Sequence, residues 1–335
     1  MQGTPVIEML RIESAPLEGI STWLFRKTHQ QMFGGVDRYF TPFFSPTPER
    51  KLTTKELRDL SPENNVGVPV VPQIMAKRAE DFLWAAEEAR ELGFDEVNLN
   101  LGCPSGTVTA KGKGAGFLLR PEELDSFFEE VFKSVCLPVS VKTRIGYHDP
   151  AEFGRLLEIF NRYPIRELII HPRLRGQFYR GEVHLETFAE ALAASRLPVT
   201  YNGDLVTQED VAAFSRRFPS VDTVMIGRGI IADPALPRKL RGGPPANREE
   251  IRTYVRTLYE GYRTAYGYSG FAAQRMKELW FYLINLFDDG DKYAKKLRRV
   301  GNAAEYEHLE AGIFRELELL PQPRKPLDGT GQGKG

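Results

Sequence analysis

The sequence predicts an eight-stranded parallel (β/α)8 TIM barrel followed by a small all-helical domain. Three observations carry this expectation. Short apolar runs bounded by turn residues recur through the first 240 residues, each followed by a segment of helical period. The runs are rich in valine, isoleucine and leucine, as parallel strands covered on both faces require. Beyond residue 240 the runs stop and only helical periodicity continues.

In order, the runs are LRIESAP (Leu10 to Pro16), VDRYFTPFF (Val36 to Phe44), VPVVPQIM (Val68 to Met75) and FDEVNLNL (Phe94 to Leu101), then LPVSVKTRI (Leu137 to Ile145), IRELIIH (Ile165 to His171), LPVTYNG (Leu197 to Gly203) and VDTVMIG (Val221 to Gly227). Between them, Arg78 to Leu92 places Ala, Phe and Leu at helical spacing. Pro121 to Val135 opens on a proline with Glu122 and Glu123 at the positive end of the helix dipole. Eight alternating units favour a closed barrel over an open doubly wound sheet, the competing architecture. From Glu249 to about Leu320, EEIRTYVRTLYEGYRTAYG and AAQRMKELWFYLINLF show apolar and aromatic stripes at helical period. The expected organisation is a barrel over 1–240, a helical domain over 241–320, and a Pro- and Gly-rich tail over 321–335 with too little apolar surface to order it.

The bulk composition agrees with this plan. The chain has 335 residues, 41% of them hydrophobic, enough for a barrel core of about 250 residues plus an appendage. It carries 45 basic and 45 acidic residues, so no global field marks a nucleic-acid binder and any such contact must come from local patches. The two cysteines, Cys103 and Cys136, form no CxxC and sit with no clustered histidine, so no metal site or disulfide framework is expected. No long apolar run and no basic, apolar leader are present, which predicts a cytoplasmic protein without membrane contact; nothing points to a protein partner.

A TIM barrel places its chemistry at the C-terminal ends of the strands. The residues there are unusual in kind: APLEG after the first run, Gln73 in the third, Asn98, Asn100 and Cys103 at the fourth, Lys142 and Arg144 at the fifth, His171 and Arg173 at the sixth, Asn202, Gly203 and Asp204 at the seventh, and Gly227, Arg228 and Gly229 at the eighth. Glycines and an arginine after the last two strands suit the phosphate site this fold builds there, although Asn202 and Gly203 alone also read as a turn. With an inward lysine, this points to a phosphate-bearing cofactor such as a flavin nucleotide, Lys142 stabilising the negative charge that develops on reduction; pairing with a carboxylate such as Asp204 is the alternative. Gln73 and Asn100 can both donate and accept, as a uracil or isoalloxazine edge requires, or can satisfy backbone groups.

The segments APLEGISTWLFR, NLNLGCPS, SVKTRIG, IIHPRLRGQFYRG, YNGDL and MIGRGIIADPAL, in this order and spacing from about Leu10 to Leu240, resemble the tRNA-dihydrouridine synthases. The resemblance implies an FMN enzyme that reduces the C5=C6 bond of selected tRNA uridines, with NADPH (or NADH) recharging the flavin, and an RNA-binding role for the helical remainder. It assigns flavin contacts to Pro16, Leu17, Glu18, Gln73, Lys142 and His171, and phosphate contacts to Asn202, Gly203, Asp204, Gly227 and Arg228. It makes Cys103 the catalytic proton donor. The sequence departs from the usual pattern at Leu17, where methionine is common, at GIST in place of GVTD, and at HPR in place of HGR.

The chemistry of the residues fits that role. Reducing an enone-like bond takes a hydride at one carbon and a proton at the other, and a thiol of pKa about 8.5 is protonated at neutral pH without activation. Asn100, Arg144 and Arg173 are candidate uridine contacts. Lys111 and Lys113 in the glycine-rich loop after Cys103 could meet RNA phosphates or be solvated. In DKYAKKLRRVGN, Lys295, Lys296, Arg298 and Arg299 form the candidate tRNA backbone patch, a solvated helix face being the alternative. Trp280, Phe281 and Tyr282 read as core, and Cys136 as an inert buried thiol. Two other functions compete: an FMN barrel oxidoreductase of the dihydroorotate dehydrogenase kind acting on a small molecule, and an RNA-binding protein with vestigial chemistry.

Overall fold

The computed structural model of the chain describes residues 10–325 and Leu327. Its strands are β1 (Arg11–Ser14), β2 (Arg38–Phe40), β3 (Val70–Val71), β4 (Gln73–Ile74), β5 (Val97–Leu101), β6 (Val139–Gly146), β7 (Leu168–Leu174), β8 (Val199–Asn202) and β9 (Thr223–Ile226). They form one nine-stranded sheet in the order β3-β2-β1-β9-β8-β7-β6-β5-β4. The ninth strand comes from the third run, which Pro72 splits because proline has no N–H to give a ladder. Val70 and Val71 pair in parallel with β2, whereas Gln73 and Ile74 pair with β5. One extended segment thus supplies both ends of the strand order, and the eight expected units make a nearly closed parallel barrel.

By packing, the chain divides into two compact units. One holds the described residues up to Asp37, Asp204–Ser220 and the described residues from Ile226 onward; the other holds Arg38–Gly203 and Val221–Met225.

In the second unit the helices expected from the sequence are present and bury the faces their spacing dictates. Helix Ala79–Glu91 buries Phe82, Ala85, Ala86 and Ala89, and helix Pro121–Ser134, with Pro121 in its first turn, buries Leu124, Phe127, Phe128 and Val131. Phe82 of the first meets Phe127 of the second edge to face at 5.8 Å, and Phe128 meets Phe160, on helix Glu152–Phe160, at 6.0 Å. At the N-terminal end of the strands, Arg38 ties the buried carboxylates Glu96 and Glu167, and Thr200 donates to Glu167.

In the first unit, helix Arg248–Tyr266 begins with a capping box between Asn247 and Glu250 and ends at Gly267, whose φ of 66° suits glycine. It packs on helix Trp23–Met32: Tyr254 meets the rings of Phe25 and Phe33, Thr22 and Tyr262 share a hydrogen bond of 2.9 Å, and a Cβ at Gly261 would lie 2.6 Å from Leu24. The helical region therefore shares a core with the helix that follows β1, which is why the two fall in one unit. Helices Ser269–Leu283, Asp291–Leu297 and Ala303–Glu316 complete it. Trp280 is fully buried, as the sequence predicts, and donates to Tyr306.

The first residues of the tail make contacts that its composition does not suggest. Arg324 donates its backbone N–H to Asn285, Lys325 pairs with Asp210, and Leu327 is buried beside Val206 and Ala232. The remainder of the tail lies outside the described residues. No helix among the described residues is long and apolar enough to cross a membrane.

Candidate active site

The parallel register sets the polar residues of the second unit in rows. Gln73 stands beside Asn98, Asn98 beside Ser140, Asn100 beside Lys142, and Arg144 beside His171. Period-two alternation places them on one face, with Val97, Leu99, Val139 and Val141 on the other. The amides form a chain: Asn100 donates to Gln73 (2.7 Å), Gln73 to Asn98 (2.8 Å) and Asn98 to Ser140 (2.9 Å). The remaining oxygen of Asn100 accepts the backbone N–H groups of Gly102 (3.0 Å) and Cys103 (2.9 Å). Asn100 is buried, so its main work is to hold the Cys103 turn, and Gln73 keeps one N–H beyond this chain.

Cys103 is half-buried, and its carbonyl accepts from Ala115. The glycines after it serve close approach. Gly114 has φ +56°, and a Cβ there would lie 2.9 Å from the Cys103 carbonyl oxygen and 3.1 Å from the Cys103 Cβ. Gly112 is also left-handed, at φ +67°, but a Cβ there would meet nothing closer than 3.7 Å. Both alanine substitutions carry backbone strain of about 1–2 kcal/mol. Only Gly114→Ala must also move Cys103, so it is expected to lower turnover well below that of Gly112→Ala; equal turnover of the two variants would refute this role.

Lys113 does not face outward as a phosphate contact would: its ammonium donates to Ser45 at 2.8 Å, and burial lowers its pKa. Lys111 is exposed.

Lys142 is a desolvated lysine, and among the described residues no carboxylate pairs with it. Burial first, then the neighbouring Arg144, pull its ammonium down to about 7, with Cys103 acting in the opposite direction. Asp204, the partner the sequence suggests, pairs with Arg228 instead. Since an unfolded lysine titrates near pH ~10.4, the unfolded chain binds more protons than the folded one between about pH 7 and that value, and stability rises with pH across the window. Below about pH 7 both forms are protonated and the penalty is complete. Lys142→Met should therefore melt higher than wild type in the cofactor-free protein at pH 7, by a margin that shrinks towards pH ~10. A margin independent of pH would show that desolvation of the ammonium is not the cause.

Pro172 interrupts the β6–β7 ladder, where the register shifts between Arg144 and Gly146. The shift directs two buried arginines at loop carbonyls. Arg144 donates to the carbonyls of Gly102 (2.8 Å), Leu174 (2.9 Å) and Phe178 (2.7 Å). Arg173 donates to those of Arg180 (3.3 Å) and Gly181 (2.5 Å), and to His171 Nε2 at 3.3 Å. The sequence suggests both as uridine contacts; most of their donors are instead spent on fixing loops. Burial pulls the Arg144 guanidinium down to about 10, which leaves it charged at neutral pH. Tyr179, which residue pattern does not single out, stacks on His171 with centroids 6.2 Å apart and lies under Arg144 at 5.8 Å. Its one signal is an aromatic pair in the turn-rich stretch RGQFYRG. Asn202 is anchored by its amide to the Met225 carbonyl (2.7 Å), and a Cβ at Gly203 would lie 2.8 Å from the Tyr201 hydroxyl.

In the first unit, Pro16, Leu17 and Glu18 form the turn after β1, closed by Ser21 accepting from Leu17 N–H at 2.8 Å. Gly227 brings the backbone against this turn: a Cβ there would lie 3.3 Å from Ala15 and 3.4 Å from Leu17. Arg228 and Asp204 pair at 2.6 Å, so the guanidinium is already partly neutralised. Lys295, Lys296, Arg298 and Arg299 are all exposed, with Lys296 over the Tyr293 ring at 5.8 Å. Cys136, expected to be buried, is exposed; partial desolvation and Glu87 raise its thiol pKa.

The family description "Dihydrouridine synthase (Dus)" matches residues 13–310. The chain is a member of the dihydrouridine synthase family. Relatives include a "Probable tRNA-dihydrouridine synthase" of Staphylococcus epidermidis, 31% identical over 66% of this chain and 68% of the relative. A "tRNA-dihydrouridine(16) synthase" of Neisseria meningitidis is 25% identical over 92% of this chain and 96% of the relative. Among solved structures, the old yellow enzyme homologue of Zymomonas mobilis aligns with a TM-score of 0.52 and 13% identity, covering 71% of this chain and 90% of that one. Morphinone reductase aligns at 0.50 and 14%, covering 71% and 88%. These likenesses show that this dihydrouridine synthase family member has the barrel fold of those proteins.

Proposed function

We propose that the chain is a tRNA-dihydrouridine synthase, which reduces the C5=C6 bond of selected tRNA uridines with FMN as cofactor and NADPH or NADH as reductant. The observation that carries the reading is Lys142, a desolvated lysine without a carboxylate partner among the described residues, near a thiol on a hydrogen-bonded turn at the C-terminal end of β5. A desolvated lysine lacking a counter-charge suits a group that becomes anionic on reduction, which would draw a proton onto it. The names of the relatives support tRNA uridine as the substrate.

In the second unit, Gln73, Lys142, His171, Asn202 and Gly203 are the residues proposed to contact the flavin. When bound, the flavin supplies the hydride that reaches C6. Cys103 Sγ carries the proton for C5 and needs no base to activate it, only to remain protonated. Asn100 fixes the turn that carries this thiol, while Arg144 fixes Gly102 on its other side. The stacked rings of His171 and Tyr179 offer a surface for the uracil, and water is excluded where Lys142 loses its hydration. Lys295, Lys296, Arg298 and Arg299 supply the phosphate contacts.

Mapping dihydrouridine in tRNA from cells lacking this protein tests the reading. At least one position should lose the modification, and the wild-type gene should restore it. A full set of dihydrouridines in the deleted strain contradicts the proposal.

A further inference from the structure

We propose that Phe178, on the turn after β7, is a stacking platform for the RNA base that flanks the reduced uridine, backed by the guanidinium of Arg175. This rests on the tRNA reading above.

Phe178 combines two costs that folding does not repay. The residue is 42% exposed, and its backbone lies at φ 52°, ψ −100°, outside even the left-handed helical well that a bulky residue rarely enters. The conformation is held by hydrogen bonds from Phe178 N–H to the Arg175 carbonyl (3.3 Å) and from Arg144 to the Phe178 carbonyl (2.7 Å). One guanidinium lies over the ring and over a second aromatic, which in turn meets His148 edge to face. The Arg175 guanidinium lies 5.4 Å from the centroid of Phe178 and 5.4 Å from that of Tyr147, and Tyr147 meets His148 at 4.7 Å. Phe178 is an exposed member of this aromatic and guanidinium cluster. A planar base added to it continues the alternation of aromatic and guanidinium groups, as proteins commonly bind unpaired RNA bases.

The platform belongs to the same end of the barrel as the proposed acid. One guanidinium, Arg144, bonds both the Gly102 carbonyl, next to Cys103, and the Phe178 carbonyl. Arg175 also donates to Thr109, on the short helix after Cys103, at 3.2 Å. The charge suits a polyanion: from Arg173 to Arg180 the turn contains arginines and no acid, and Arg175 and Arg180 have no carboxylate partner among the described residues. Chemistry on a uridine inside a folded RNA requires that the base leave its stack, which strips its neighbour of a partner. An exposed ring one arginine's span from Cys103 is placed to take over that face.

The test compares full-length wild type with Phe178→Ala, Phe178→Gly and Phe178→Trp, measuring the Kd for unmodified tRNA, dihydrouridine formation and Tm. The Ala and Gly variants should bind tRNA about 5- to 100-fold more weakly, whereas Trp should bind near wild type. Glycine accepts the backbone conformation, so Phe178→Gly should match or exceed the wild-type Tm, separating a lost platform from a damaged fold. Unchanged tRNA affinity in the Gly and Ala variants, or a Trp variant as weak as Ala, overturns the platform while leaving the functional reading intact. A wild-type protein that neither binds tRNA nor forms dihydrouridine overturns both.

Discussion

Cys103→Ala is expected to lower dihydrouridine formation by about 10²- to 10⁴-fold, the range that removal of a positioned general acid produces. Uptake of FMN and its reduction by NADPH should stay close to wild type. The side chain is half-buried, and alanine keeps the hydrogen bonds that the backbone N–H and carbonyl make with Asn100 and Ala115. The loss should therefore appear in turnover rather than in Tm, and steady-state rates on unmodified tRNA alongside melting curves measure the two. An equal fall in stability and activity would instead make Cys103 a packing residue. An alanine variant with normal turnover would transfer the acid role elsewhere.

Reversing the patch Lys295, Lys296, Arg298 and Arg299 to glutamate should weaken tRNA binding about 100-fold or more near ~0.1 M salt. The four side chains are exposed, and removing each cation that meets a phosphate should flatten the dependence of log K on log salt by about one unit. The helix bearing Lys295 and Lys296 is held by other groups, Tyr293 to Glu316 and Arg324 to Asp291, which the substitutions leave in place. FMN reduction by NADPH should thus be unaffected. Titrating fluorescent tRNA at several salt concentrations checks both expectations; an unchanged affinity and slope would identify the patch as an ordinary solvated helix face.

Much of this architecture is legible from residue pattern alone, because period-two and helical spacing decide which face a side chain occupies. All eight runs form strands in their expected order, and the stripes on Ala79–Glu91 and Pro121–Ser134 are buried as their spacing predicts. What pattern does not encode is where a polar group spends its hydrogen bonds. Arg144 and Arg173 sit at strand ends as expected, but the shift beside Pro172 commits them to loop carbonyls. Lys113, five residues after Val108 in a glycine-rich loop, gives no sign in the sequence that it turns inward to Ser45, a partner far away along the chain. Cys136 shows the same limit: a thiol just before a strand can end at the surface. The boundary near residue 240 follows composition, whereas the units follow the packing of Tyr254 on Phe25 and Phe33.

Mixing the anaerobically reduced protein with unmodified tRNA in a single turnover, while following both flavin reoxidation and dihydrouridine, tests whether Cys103 delivers the proton. In wild type the two should proceed together, and Cys103→Ala should slow both by the same large factor. Reoxidation without dihydrouridine, or an alanine variant that keeps pace with wild type, would contradict that role.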